Sequence, residues 1–596
     1  MADSPMVNGD GDLQLSVYCE GSLIPATMMV VSVHITKAIN RIPFGRITIL
    51  DGDMPNNKFP VSDSETFKPG QTIRVEAGWG SGTNPLFEGI VVKHAIRIDA
   101  NNYACLEVEC RDKAVSMSIG RKNANFVEKT DSAIISSLIA GYSSLTSDVE
   151  ATNTTYKELV QYYATDWDYM LARAELNGKV IIVDAAKVSV KAPKLDASPV
   201  LKVTYGLDLM EFQAELDART QLQSVETVAW DPAAQATIQQ QAEPLSGHAQ
   251  GDIAANALAQ VVGLSSYRMQ SDVMLDSSSL KTWADGRQLK STLARVRGNM
   301  KFQGNALAVP GSLIELVGVG SRFSGNAFIS SVEHVIKDGR WVTEADFGHD
   351  PSWFVESHDI VSPIASGVTS GIQGLHIGVV KKINEDPEAQ YKIQVSLPIM
   401  QAETDGVWAR LASSYASSGF GAFFIPEIGD EVILGFLNSD PSHPLILGSL
   451  YSSKRKPAYE IGAENFIKAI VTRTKMKIEF DEEKKIITIL TPANNKIVIS
   501  DDSKSILLKD QNNNSVELKP EGIFLDSPKD ICLSAKGKVT IDAINNIEIT
   551  AKADIKSQAL NINSNANIAY VAKGSASAEL SASGQTTVKG ALVMIN

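Results

Sequence analysis

GIFLDSPKDICLSAKGKVTIDAINNIEITAKADIKS, residues 522–557, is the stretch that decides how this chain folds. Within it the doublets Ile523/Leu525, Ile531/Leu533, Val539/Ile541 and Ile547/Ile549, followed by Ile555, recur every eight residues. One residue separates the two apolar side chains of each doublet, so both fall on the same side of an extended strand. Asn, Asp, Ser, Lys and Gly fill the intervals and mark turns. A fixed period of this kind is a repeat architecture, here a β-helix or β-solenoid. Ile487/Ile489, Ile497/Ile499, Ile506/Leu508 and Val516/Leu518 carry the same doublet upstream at looser spacing.

An eight-residue repeat is too short to encircle a core by itself, and an isolated short strand leaves its backbone unpaired. If three identical chains each supply one side of a prism, the doublets meet on the axis and every strand edge pairs with a neighbouring chain. The reading therefore predicts an obligate homotrimer whose core in this rod is Ile523, Leu525, Ile531, Leu533, Val539, Ile541, Ile547, Ile549 and Ile555. After Pro528 there is no proline to break the ladder, and after Phe524 the only aromatic is Tyr570. A prism ending at the closing ALVMIN would expose three apolar strand ends, near Val593, Met594, Ile595 and Asn596. A capping protein is expected there, a frayed terminus being the alternative.

Working upstream, HIGVVKKI, YKIQVSLP, GVWARLA, GFGAFFIP, DEVILGFL and HPLILGSLY between His376 and Tyr451 are five or six strands in a short span, the size of a small OB-like barrel. SPIASGVTSGIQG, at 362–374, is small and polar and reads as a linker. Before it, LQLSVYC, MMVVSVHI, GRITILDG, TIRVEAGW, LFEGIVVKHAIRID and YACLEVECRD alternate as strands. Helical spacing follows Asp131, and recurs over 165–177 with Thr165 as N-cap and Gly178 as stop. Further helices are expected at 251–262 and 279–295, and strand alternation returns over 299–346. The chain is thus mainly β with some α.

The 596 residues suffice for several separate cores. A net charge of −14 disfavours nucleic acid and anionic lipid as partners. Apolar runs such as Met28–Val31 end far short of the roughly 20 residues a membrane helix needs. The start, MADSPMVNGDGDLQ, has no basic or apolar leader regions, which predicts cytoplasmic synthesis without a secretory signal. Four cysteines are too few for a disulfide framework. Cys105 and Cys110 fall on opposite faces of one strand and read as packing residues.

No nucleophile elbow, phosphate-binding loop, dinucleotide fingerprint or zinc-protease helix motif occurs. The eight histidines are scattered, with no i, i+4 pair. The carboxylates Glu427/Asp430/Glu431, Asp481–Glu483 and Asp501/Asp502 sit in turn-like contexts with nothing to raise one pKa. GWGSGTN at 78–84 reads as a hairpin loop. The expectation is a non-enzyme with no catalytic, metal or cofactor site.

VWARLASSYASSGFGAFFIPEIGDEVILGFLNSDPSHPLILGSLY, Val407 to Tyr451, resembles the signature of the VgrG spike proteins of type VI secretion systems and related contractile injection particles. FEGIVVK at 87–93, YYATDWDYMLARAELNGKVI at 162–181, VTYGLDLMEFQAELDART at 203–220 and RGNMKFQGNALAVPGSLIEL at 297–316 match that family in order. The resemblance implies a phage baseplate hub-like domain of two β-barrels plus helices over 1–365, a linker at 366–374, an OB-like barrel at 375–456 and an intertwined trimeric β-helix needle at 457–596. It implies a central spike that joins the inner tube and baseplate to a puncturing needle, with a PAAR-like tip protein on Val593 to Asn596. Cargo effectors and transient contact with a target membrane follow from it, as does assembly into an injection particle delivered or released outside the cell. The chain shows no lysozyme-like insertion and no effector extension of the kinds known in relatives. A tail-associated cell-wall hydrolase and a receptor-binding fibre are the alternatives. Missing motifs count against the first, and the lack of aromatics after Phe524 against the second.

Overall fold

A computed structural model describes residues 2–6, 11–80, 82–243, 250–271, 275–357, 362–400 and 406–595. The chain divides into two compact units, Met1–Leu450 and Tyr451–Asn596.

In the first unit, alternating sequences become strands because every second side chain reaches an apolar interior. Thr72–Trp79 places Ile73, Val75 and Ala77 inside, and Ala104–Arg111 does the same with Leu106, Val108 and Cys110. A single thirteen-stranded sheet runs through the hub. It wraps two separate cores, one around Val33, Ile35, Ile49 and Phe87, the other around Met300, Phe302, Ile314 and Phe347. The strand Gly325–Lys337 serves both: its register shifts between Ile329 and Ser331, leaving Ile329 and Val332 in the second core and Ile336 in the first. The two expected hub barrels are therefore two lobes of one continuous sheet. Among the described residues, a closed ring is formed only farther along, by the 376–450 strands.

A third core lies beneath the helices Asp131–Ala140 and Asp166–Leu176. Thr130 caps the first, its Oγ1 accepting from the Ala133 amide. The second begins as expected, Thr165 Oγ1 accepting from the Asp168 amide at 3.0 Å, and the chain reverses at Gly178 with φ +61°. The two later helices are Ala255–Val262 and Ser277–Leu293.

The strands His376–Lys382, Lys392–Ser396, Val407–Leu411, Pro444–Leu450 and Glu431–Phe436 close a barrel around Val380, Val395, Ala409, Val432 and Ile446. GFGAFFIP is not one of its walls: only Phe420–Gly421 is strand, in a small exposed hairpin outside the ring. The 362–374 segment is tied to the barrel, Ile372 donating its amide to the Ser439 carbonyl at 2.9 Å and Asn438 Nδ2 to Ser366 Oγ at 3.0 Å.

The second unit corrects the pairing expected for the rod. Ile467–Val471, Lys477–Asp481, Ile486–Leu490, Lys496–Ser500, Ser505–Lys509, Ser515–Lys519 and Gly522–Asp526 form one antiparallel meander, each strand paired with its sequence neighbour in the same chain. From Ile478 to Val516 the doublets lie nine or ten residues apart, so a five-residue strand leaves four or five residues to turn back. Those turns use left-handed residues at Lys475, Lys485, Asn494, Lys504 and Asn513. From Val516 to Ile523 the spacing is seven and the strands still reverse through a two-residue turn, whereas from Ile523 on it is eight and residues 527–595 form neither strand nor helix within the single chain.

Candidate assembly interface

The meander has two unlike faces. On one, successive strands bring Ile478, Ile489, Ile497, Leu508, Val516 and Leu525 into one cross-strand row. Phe480, Ile487, Ile499, Ile506, Leu518 and Ile523 make a second row beside it. Pairs such as Ile489↔Ile497 are directly opposite, so the side chains form continuous apolar ridges. The other face mixes Glu479, Thr488, Val498, Leu507 and Glu517. In the single chain Ile487, Ile489, Ile497, Ile499, Ile506 and Leu508 are 38–43 % exposed. An apolar face of this extent in water marks an interaction surface.

Of the sequence-predicted core, Ile523 and Leu525 join these rows on the last strand, opposite Leu518 and Val516. Ile531, Leu533, Val539, Ile541, Ile547, Ile549 and Ile555 lie beyond it, exposed, and the single chain brings none of them into a strand pair. Val593, Met594 and Ile595 are exposed too; Asn596 lies outside the described residues. Ile478 and Phe480 escaped the sequence reading, although the h-x-h pattern that found their neighbours also marks them.

Elsewhere, described polar side chains such as Asp430 and Glu175 are engaged in structural contacts. Among the described residues no group of three or more His, Cys, Asp or Glu is arranged to hold a metal ion. Cys19, Cys105 and Cys110 are buried, and burial pushes the Cys110 thiol up to about 12. Asp430 serves its turn by accepting from the Glu427 amide at 2.9 Å. A cleft of about 500 Å³ in the hub is lined by Arg41, Trp167, Glu175, Lys290, Asp346 and His349. Its central cation and carboxylate are taken up by each other, Lys290 pairing with Glu175, which also accepts the Phe354 amide at 2.6 Å. Burial, with the Lys290 charge adding to it, holds the His349 imidazole down to about 4, so it stays neutral.

Residues 10–338 match the family model described as the Alg8 N-terminal domain, and residues 376–451 match that of the Type VI secretion system/phage-baseplate injector OB domain. The type VI secretion system spike protein VgrG5 of Pseudomonas aeruginosa is 43% identical over 54 residues, 9% of this chain and 7% of its own length. The actin cross-linking toxin VgrG1 of Vibrio cholerae is 35% identical over 80 residues, 13% of this chain and 7% of its own length. The chain thus aligns with under a tenth of either relative. The E. coli c3393 protein, a type VI secretion component with similarity to bacteriophage T4 gp27 and gp5, is 11% identical, with a TM-score of 0.36 over 73% of this chain and 99% of that one.

Proposed function

Since this chain belongs to the family described as the Alg8 N-terminal domain and carries an injector OB domain, we propose that it is the central spike of a contractile injection apparatus. In this reading the hub over 1–365 joins an inner tube and baseplate, a barrel over 375–456 follows, and residues 457–596 of three copies build the needle. The observation that carries it is the double row of exposed isoleucines and leucines on the meander, directly downstream of the barrel. Three such faces turned toward one axis would remove those rows from water. Their eight-residue continuation, Ile531 to Ile555, would then pair between copies, because it has no partner within one.

The remaining parts of the proposal follow from the likeness to VgrG spike proteins. A tip protein of the PAAR type would cover Val593, Met594, Ile595 and Asn596, and effectors would travel as separate cargo. The work done is mechanical, penetration of a target envelope with passing membrane contact, and no catalytic step is assigned to this chain. No described helix is long and apolar enough to cross a membrane. Assembly would begin in the cytoplasm, and the finished particle would act outside the cell.

Light scattering of the purified chain tests this reading. A mass three times 64.2 kDa, with residues 467–595 resistant to protease, is the expected result. A monomer with the same resistance would refute it.

A further inference from the structure

Between the barrel strands Val407–Leu411 and Glu431–Phe436 the chain leaves the barrel wall. From Leu411 to Pro426 it carries no Asp, Glu, Lys or Arg, in a protein where 21% of residues are charged. Phe423 and Phe424 are 86 % and 68 % exposed, and Tyr415, Phe420 and Ile428 are each more than half exposed. The display is built rather than slack. Ala416 and Ser417 pair with Gly421 and Phe420, the Ala422 amide donates to the Tyr415 carbonyl at 2.8 Å, and Ser413 Oγ donates to the carbonyls of Tyr415 and Ala422. Gly421 sits at φ +143°, where a Cβ would lie 2.6 Å from the Tyr415 carbonyl oxygen. A turn organised to hold rings in water loses stability unless something covers them.

We infer that this aromatic turn is a contact surface between copies of this chain, barrel against barrel. Charge selects the occupant. Each copy carries a net charge of −14, so two copies repel unless they meet through a surface without like charges. The 411–426 turn is such a surface, and its rings suit one another as edge or offset partners. A basic partner would find no carboxylate on it. The inference rests on the proposed association through the meander: sixteen residues separate Leu450 from Ile467, so copies joined at their sheets hold their barrels within the reach of a short tether.

The test uses the full chain, purified, with a photoreactive benzoyl-phenylalanine at position 423, and beside it the Phe423→Asp/Phe424→Asp variant. Expected are covalent dimers whose cross-linked peptides fall in residues 376–450 of a second copy. The charged variant should need about tenfold higher protein concentration to assemble, with an unchanged circular dichroism spectrum. If the wild-type chain assembles but cross-links at 423 fall only within one copy, or the charged variant assembles at the wild-type concentration, the inference is overturned while the meander reading stands. If the wild-type chain stays monomeric throughout, the meander reading fails first and the turn loses its occupant with it.

Discussion

Ile487 stands directly opposite Ile499 on the next antiparallel strand, and both remain about two-fifths exposed in the single chain. Their contact with each other is therefore half a contact, and the outer halves of both side chains await a cover. The double substitution Ile487→Asp/Ile499→Asp should leave the hub melting transition in place while abolishing assembly at micromolar concentration. Sedimentation velocity reads the outcome, and an assembled double variant would contradict the proposed use of this face.

In the hub, Arg173 grips the fully buried Asp131 with Nε–Oδ1 at 2.6 Å and Nη2–Oδ2 at 3.0 Å, and Asn177 Nδ2 adds a third donor at 2.8 Å. Arg173→Met strands that carboxylate under the first helix. A loss of about 3–5 kcal/mol is expected, seen as a lower urea midpoint. The companion variant Arg173→Met/Asp131→Asn should recover a good part of it.

His334 is enclosed against Trp341, with ring centroids 5.8 Å apart, and its Nδ1 lies 2.9 Å from Thr343 Oγ1. Burial, with the Lys37 charge adding to it, holds the imidazole down to about 3, against 6.5 in the unfolded chain. Between those values the unfolded state binds the extra proton. The stabilisation is thus complete above about pH 6.5 and falls as the pH drops toward 3, by up to about 1.4 kcal/mol per pH unit. His349 acts in the same direction. His334→Gln should flatten the pH 4–6.5 limb of the stability profile relative to the parent, a comparison that cancels every other group.

Gly304 lies against the face of Trp341: a Cβ there would come within 2.1 Å of the indole, and the Gly304 carbonyl accepts from Trp79 Nε1 at 2.9 Å. Gly304→Ala must push apart the stacked Trp79 and Trp341. Destabilisation of about 1–3 kcal/mol, with a changed tryptophan emission spectrum, is the expected result.

What could be read in advance follows the physics of each segment. Strands such as Thr72–Trp79 and Ala104–Arg111 were legible because one face is buried and the alternation is strict. The ribbon of Lys122–Thr130 with Thr155–Ala164, and the strand Ala236–Gln241, were not, because both their faces are largely polar or exposed and no period of two survives. The doublets from Ile487 to Leu525 fall on one apolar face of the meander, while those from Ile531 to Ile555 lie in no strand. Their pairing partner was not legible from spacing, since doublets seven, nine and ten residues apart all pair as hairpins within one chain while those eight apart do not. GFGAFFIP has the composition of a buried strand, and only the barrel's closure without it shows that its rings face outward.

The end of strand pairing at Asp526 also divides the order in which this polypeptide can take shape. Hairpins between adjacent strands close over short loops, so the stretch from Ile467 to Asp526 can form as soon as a lone copy emerges from synthesis. The remainder to Ile595 forms no such hairpin in the single chain. A newly made molecule would thus hold a folded sheet ahead of a stretch that has neither strand nor helix of its own.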